Sequence, residues 1–261
     1  MDWYPRAHRV NVSPMSYRDG GSMLDAPWRF VVHTTEGGTI AGAEQTFAVR
    51  RMWPHFCADP TTRTLRQYVP LSRAGRTLKN LAGGAETNRL ACVQIELVGF
   101  ADRIGELWTA DACEWLGGEF ADLFHELGIW PGSTPRAWVD ATDGFVARSD
   151  APQRMTAAEW SAFNGVCGHQ HVPENDHYDP GRWNVAAFLA PIVPHLEEDM
   201  TPEQLEAVVR KVIREEVPKL VADEPAKEFT WTDPATGKPV VDGGRYQLAA
   251  ASRKINASTK I

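Results

Sequence analysis

A dense cluster of metal-binding side chains lies in the second half of the sequence. Three histidines and two aspartates fall within eleven residues: His169, His171, Asp176, His177 and Asp179. Neutral imidazoles and carboxylates are ligands of Zn²⁺, whereas a single histidine is more often a structural group. Two ligands from this loop and one from a distant strand would leave the fourth coordination position open for water, as catalytic zinc requires. The cluster therefore indicates a catalytic metal centre.

Two segments earlier in the chain predict strands that carry further chemical groups. Residues 30–32 form a continuous apolar run that ends in His33 and is followed by glycines, which is typical of a strand buried on both faces. Residues 92–100 alternate in polarity, so that Gln94 and Glu96 share the face opposite the apolar side chains. A carboxylate in such an apolar strand is costly without a partner. Glu96 is therefore a candidate for chemistry.

Three helices are predicted beyond these strands. Residues 110–127 carry an apolar stripe between an N-capping threonine and Gly128. A capping box opens a second helix at Thr156, and residues 182–195 are predicted to form the third. Strands mixed with long helices imply an α/β fold, in which a central sheet is covered on its faces.

Changes in composition divide the chain into four parts. Residues 1–25 are polar and rich in turns and are predicted to form an arm lying on the main domain, which spans residues 26–196. Residues 197–222 predict an amphipathic helix, and residues 223–261 form a tail with little apolar surface. The narrow apolar stripe at 201–217 must be buried to stabilise its helix, against its own domain, an identical helix of another chain, or another partner.

Composition and charge exclude several classes of partner. The formal net charge of −7 argues against binding to nucleic acid, because phosphate contacts need a basic face. No run approaches the length of a membrane span, and the first residues lack the basic and apolar regions of a secretory signal. The cysteines form no CxxC pair and are expected to be free and buried.

Three segments, in this order, resemble the type 2 N-acetylmuramoyl-L-alanine amidases, the family of phage amidase endolysins and peptidoglycan recognition proteins. The resemblance covers roughly residues 26–196. Residues 31–35 resemble the strand of the first ligand, and residues 94–99 resemble the strand of the catalytic glutamate. Gly168-His169 followed by Asp179-Pro180-Gly181 resembles the closing motif of the family, with two ligands ten positions apart.

The resemblance implies a mixed β-sheet flanked by helices and a Zn²⁺ ion held by His33, His169 and Asp179. Zinc lowers the pKa of a bound water from about 15.7 toward ~7. Glu96 would accept the proton of that water and pass it to the leaving amine. Family members that cleave often carry lysine two residues before the last ligand. Here His177 takes that place, where it would stabilise the oxyanion as a cation or as a neutral hydrogen-bonding group.

The implied substrate is peptidoglycan, and the implied reaction is hydrolysis of the amide bond between N-acetylmuramic acid and L-alanine. We expect a phage endolysin that is made in the bacterial cytoplasm without a signal peptide and reaches the cell wall after release by a holin. The alternatives are a non-catalytic peptidoglycan-binding module, a phage structural protein that docks on the wall, and an intracellular amidase that recycles wall fragments.

Several residues near these motifs keep more than one interpretation. His171 is a supporting group of the metal site, a ligand in place of His169, or a solvated loop residue. His55 packs beneath the site or is purely structural. Pro54 stands where many relatives of the family have tyrosine, and it cannot donate a hydrogen bond. For Glu96, the alternative to catalysis is a structural ion pair.

Overall fold

The computed structural model describes residues 1–13, 20–134, 136–140 and 150–193, together with the backbone of two short strands further along. Contacts divide the chain into two compact units, Met1–Met200 and Thr201–Ile261. The amphipathic helix predicted at 197–222, with its apolar stripe, lies outside the described residues.

A six-stranded sheet forms the centre of the first unit. Its strands are β1 (His8–Arg9), β2 (Leu24–Thr34), β3 (Phe56–Asp59), β4 (Thr64–Gln67), β5 (Leu90–Leu97) and β6 (Gly165–Gly168). Their order across the sheet is β1-β4-β3-β5-β2-β6. Only β3 and β4 pair in the antiparallel sense, and all other neighbours in this sheet are parallel. The sheet is therefore mixed, which confirms the α/β class predicted from the sequence.

Five helices of the described part surround the sheet. They are α1 (Ile40–Arg50), α2 (Ile104–Leu107), α3 (Ala110–Leu127), α4 (Ala157–Ala162) and α5 (Val185–Leu189). The long helix α3 has the predicted bounds, with Thr109 as its N-cap and Gly128 as a left-handed C-cap. The predicted capping box of Thr156 and Glu159 opens α4.

The third predicted helix, at residues 182–195, differs from the structure. Its first helical segment, α5, begins only after the N-cap Asn184, whose side chain accepts the N–H of Ala187, and it ends at Leu189. Pro191 explains the early end, because proline lacks the N–H that would continue the helical hydrogen bonds. Phe188 and Leu189 of this short helix are buried as the predicted stripe requires.

Apolar clusters cover the sheet on both faces. On one face, Phe30 of β2 contacts the rings of Phe120, Phe124 and Phe188 at centroid distances of 5.0, 5.2 and 5.6 Å. These rings belong to α3 and α5, which therefore pack on this face. The other face is covered by two smaller clusters, one with residues of α1 and one with Trp160 of α4. All four cysteines are buried and free, as expected.

The N-terminal residues pack against this domain. Tyr4 is buried, and its hydroxyl donates to the carbonyl of Glu119 in α3 at 2.6 Å. Its backbone N–H donates to Gln67 Oε1 at 2.7 Å, and β1 then extends the sheet beside β4. None of the described helices combines the length and apolarity needed to cross a membrane.

The described backbone of the second unit is a two-stranded antiparallel sheet. Its strands are β7 (Phe229–Thr232) and β8 (Pro239–Asp242). The segment predicted as a tail at 223–261 thus contains regular structure.

Candidate metal centre

Three neighbouring parallel strands place the candidate residues side by side. His33 of β2 is paired in register with Glu96 of β5, so that both side chains leave the same face of the sheet. On the other side of β2, Val32 is paired with Gly168, and His169 directly follows that last pair. Both histidines and the glutamate therefore meet at the carboxyl end of the sheet, where open α/β sheets bind their ligands.

The three predicted ligands lie close together and away from solvent. His33 Nδ1 lies 3.1 Å from His169 Nδ1, and these two nitrogens lie 3.5 and 3.2 Å from the two carboxylate oxygens of Asp179. The side chains of all three residues are buried. Among the described residues, these three side chains form a group that could hold a metal ion.

The spacing of these atoms fits a tetrahedral ion. Ligand distances of about 2.0–2.2 Å, the range for zinc with nitrogen and oxygen, separate neighbouring ligand atoms by about 3.3–3.6 Å. The observed separations of 3.1, 3.2 and 3.5 Å are close to that range. Two imidazoles and one carboxylate therefore fit a catalytic zinc site with one open position.

The protonation states of His33 and Asp179 favour binding of a metal cation. Burial, and then the nearby His169, lower the pKa of His33 to about 4, so that its imidazole is neutral near pH 7. Burial alone would raise the pKa of Asp179, but the two histidines outweigh it and hold that pKa well below its usual range. The backbone N–H of Thr34 also donates to Asp179 Oδ2 at 3.3 Å. A neutral imidazole and an ionised carboxylate are the forms that bind metal.

Glu96 is a buried carboxyl group with an unsatisfied oxygen. Only 8% of the residue is exposed, and Oε2 receives no hydrogen bond from the described residues. Burial, and then the negative charges of Asp179 and Glu36, raise its pKa well above 4.5. An unsatisfied buried acceptor costs about 1–3 kcal/mol, so such a group in a folded protein calls for a functional explanation.

His177 lies at the rim of the centre. Its ring stacks on that of His169, with centroids 4.5 Å apart and planes inclined by 8°. Its Nδ1 lies 3.6 Å from Asp179 Oδ1, yet 63% of its side chain is exposed. Burial of the remainder, and then the neighbouring His169, lower its pKa. The ring is thus beside the ligands and accessible from solvent.

His171 is hydrogen-bonded to the backbone through both ring nitrogens. Its Nδ1 accepts the N–H of Gly168 at 2.9 Å, and its Nε2 lies 3.1 Å from the carbonyl of Ala137. Burial lowers its pKa to about 3, which keeps the ring neutral. Because both ring nitrogens are used, His171 does not replace His169 as a ligand.

His55 supports the strand that carries Glu96. Its Nδ1 accepts the N–H of Gln94 at 3.1 Å, and its Nε2 donates to the carbonyl of Arg73 at 2.8 Å. Burial lowers its pKa to about 4. The side chain therefore ties β5 to the loop after β4 and leaves no ring nitrogen for a metal.

Arg154 is a residue of the site that the sequence did not indicate. Its guanidinium is buried and donates to the carbonyls of Gln170 and His177, both at 2.8 Å, and to that of His169 at 3.4 Å. Burial lowers its pKa to about 10. Arg154 thus joins the two ends of the loop that holds the last two ligands. An isolated arginine in a polar segment carries no pattern that would reveal this.

Comparisons with known proteins give structural likeness only. No family model and no curated protein matches the sequence. Among solved structures, the Staphylococcus aureus hydrolase AmiA in complex with its ligand is 15% identical over 74% of this chain and 84% of its own, with a TM-score of 0.45.

Two further solved structures have similar values. The PlyG catalytic domain is 16% identical over 75% of this chain and 98% of its own, with a TM-score of 0.43. Citrobacter freundii AmpD is 18% identical over 76% and 97%, with a TM-score of 0.39. Because these TM-scores are below 0.5, the functional interpretation depends on the geometry of the site and on the sequence motifs.

Proposed function

We propose that the protein is a zinc-dependent amidase that hydrolyses the bond between N-acetylmuramic acid and L-alanine in peptidoglycan. The observation that carries the proposal is the unsatisfied Oε2 of Glu96, on the strand next to His33 and on the same face. A buried base beside a three-ligand centre is the arrangement of metal-assisted hydrolysis. The motifs described in the sequence supply the substrate class.

The ligand residues have separate contributions. His33, His169 and Asp179 would hold the ion. When bound, zinc supplies a Lewis acid that polarises the scissile carbonyl and makes water more acidic. Asp179 adds the single negative charge of the set and is itself oriented by the N–H of Thr34. With a bound Zn²⁺ ion, two neutral imidazoles and one carboxylate would give the centre a net positive charge, which would favour a developing oxyanion.

Glu96 moves the proton in this mechanism. Its Oε2 is free to accept a proton from the attacking water and to return it to the leaving amine of L-alanine. A general base works best when its pKa is near the operating pH, and burial shifts the pKa of Glu96 in that direction. The positive charge of the ion would oppose the shift and keep the carboxylate available.

His177 is the proposed donor to the oxyanion. Its side chain is 63% exposed and its ring stacks on that of His169, so that a substrate can reach it from solvent. An N–H donor at this position would stabilise the tetrahedral intermediate. The backbone of His177 is fixed by the hydrogen bond from Arg154, which limits movement of the ring.

The biological role proposed here is that of a phage endolysin that reaches the wall after release by a holin. This role is supported by the resemblance of the three sequence motifs to those of the type 2 amidases, a family that includes phage endolysins. A non-catalytic binding module would have no use for Glu96, whose burial lowers stability. The retained ligand set and this carboxyl together favour the enzyme.

The test measures metal content and products for the full-length protein. We expect one zinc per chain and, from soluble muropeptides, release of peptides with a free L-alanine amine, identified by mass spectrometry. Glu96→Gln should keep its zinc and lose turnover. A zinc-loaded protein that binds purified walls but releases no amine from either substrate would overturn the enzyme in favour of the binding module. Activity on soluble muropeptides without activity on intact walls would overturn the endolysin role alone.

A further inference from the structure

Both ligand histidines are held at the ring nitrogen that faces away from the centre. Nε2 of His169 lies 2.9 Å from Asn175 Oδ1. Nε2 of His33 lies 3.2 Å from Thr77 Oγ1. Thr77 lies outside the motifs found in the sequence, and Asn175 lies within the ligand cluster but is not one of its candidate residues. A neutral imidazole carries one proton, so the partner of one nitrogen decides whether the other has a free lone pair.

The surroundings of Asn175 fix the direction of its bond to His169. Its Nδ2 donates to the carbonyls of Pro173 at 2.9 Å and Lys79 at 3.2 Å. Its Oδ1 accepts the N–H of Lys79 at 2.9 Å. This orientation leaves an acceptor oxygen facing His169, which is satisfied when Nε2 carries the proton. The lone pair of His169 Nδ1 then points toward His33 and Asp179.

The same reasoning applies to Thr77 and His33. Gln94 Nε2 donates to Asn88 Oδ1 at 2.9 Å, which leaves Gln94 Oε1 as an acceptor for the backbone N–H of Thr77 at 3.0 Å. The Thr77 hydroxyl also donates its only proton to this oxygen. Toward His33, the hydroxyl oxygen can therefore only accept. A proton on Nε2 of His33 therefore satisfies this oxygen, and the Nδ1 lone pair of His33 then also faces the centre.

A single short segment, residues 77–79, is connected to both ligand histidines. Thr77 contacts His33 directly, and the backbone of Lys79 holds Asn175, which contacts His169. Gln94 and Asn175 are completely buried, so water does not compete for their hydrogen bonds. Residues 77–79 thus support both ligand histidines at Nε2, the nitrogen that faces away from the centre.

We propose that Thr77 and Asn175 are positioning residues that fix the Nε2–H tautomer of His33 and His169 before metal binds. The proposal deepens the zinc site of the proposed function and depends on it for the identity of the ion. Without these partners, the Asp179 carboxylate, which lies 3.5 and 3.2 Å from the two Nδ1 atoms, would favour the opposite tautomer, whose N–H points into the centre and would have to be displaced by the cation. Removing such supporting partners typically weakens metal binding about 10–100-fold.

The direct test observes the tautomers by two-bond ¹⁵N–¹H correlation NMR. The sample is the full-length protein after removal of zinc with a chelator, at about pH 8, where an unperturbed histidine is neutral. We expect both ligand rings to carry the proton on Nε2. Thr77→Val keeps the shape but removes the hydroxyl, and should give a tautomer mixture at His33 with His169 unchanged. Asn175→Leu should have the reverse effect.

Matched variants separate positioning from general loss of structure. Thr77→Ser and Asn175→Asp each keep the acceptor oxygen and should keep the wild-type tautomer. Thr87→Val is the control, because Thr87 is a buried threonine that donates to the carbonyl of Lys79, and no hydrogen bond joins it to either ligand histidine among the described residues. It should change neither ring.

Zinc affinity, measured by competition with a chelating dye, gives the second readout. Thr77→Val and Asn175→Leu should bind zinc about 10–100-fold more weakly, and the three matched variants should bind within a few-fold of wild type. An Nδ1–H tautomer at either ring of the wild type would overturn the proposal, even if every variant failed to fold. The proposal would also be overturned if Thr77→Val and Asn175→Leu kept the wild-type tautomers and the wild-type zinc affinity. Because neither readout uses a substrate, a protein without amidase activity would refute the proposed function and leave this test intact.

Discussion

Replacing Glu96 with glutamine should make the metal-free protein more stable while it removes hydrolytic activity. The carboxyl group is buried with an unsatisfied oxygen and lies near the negative charge of Asp179. Glutamine has nearly the same shape and no charge. Because glutamine removes the charge that burial and Asp179 disfavour, we expect the free energy of unfolding near pH 7 to rise by about 1.4 kcal/mol for each unit by which folding raises the pKa of Glu96.

The gain in stability should depend on pH. Folding raises the pKa of Glu96 above 4.5. A carboxyl group with a raised folded pKa stabilises the protein below its unfolded pKa, and this contribution is lost as pH rises toward the folded value. Below about pH 4 both side chains are neutral, and the variant should match the wild type. Above it, the difference should grow by about 1.4 kcal/mol per pH unit and level off at the folded pKa.

Denaturant unfolding between about pH 4 and 8, in the presence of chelator, measures the difference in stability. Turnover of a soluble muropeptide by the zinc-loaded forms measures catalysis, and loss of the general base should lower it by about 10²–10⁴. Glu114→Gln is the matched control, because Glu114 is an exposed glutamate of α3. It should change neither quantity.

Two results would refute this reasoning. A stability difference that does not vary with pH would mean that Glu96 titrates normally in the folded protein. Unchanged turnover in the zinc-loaded Glu96→Gln variant would assign the base to another group.

Three further outcomes are expected. Arg154→Ala should lower zinc affinity and cost at least about 2 kcal/mol in unfolding free energy, since buried carbonyls lose their donor. Wild-type values in both measurements would contradict the role of Arg154 in holding the loop. His177→Ala should keep one zinc per chain and lose about 10²–10³ in turnover, and His177→Lys should recover activity. Unchanged turnover would place the donor elsewhere. Removal of residues 200–261 should leave a folded, zinc-loaded amidase. If light scattering gives each form the mass of its own monomer, self-association through 201–217 is excluded.

Short-range patterns predicted several parts of this protein correctly. The bounds of α3 follow from Thr109 and Gly128, because helix ends are decided by local hydrogen bonds and by backbone conformation at one residue. The alternation along β5 predicted the face of Glu96, because side chains alternate along any strand. Residue types and motif order also singled out the three side chains that the structure brings together.

Contacts between distant residues decided the rest. Thr77 meets His33 across 44 positions, and Lys79 meets Asn175 across 96. Threonine, asparagine and a lone arginine have no periodic pattern, so that the sequence contains no sign of their partners. The register of β5, β2 and β6 sets the distances between ligand atoms, and the backbone groups beside His171 and His55 remove both from the ligand set. The sequence by itself determined which groups could hold a metal ion. Only the tertiary structure decided which nitrogens face the candidate site, because that choice depends on hydrogen bonds between segments far apart in the chain.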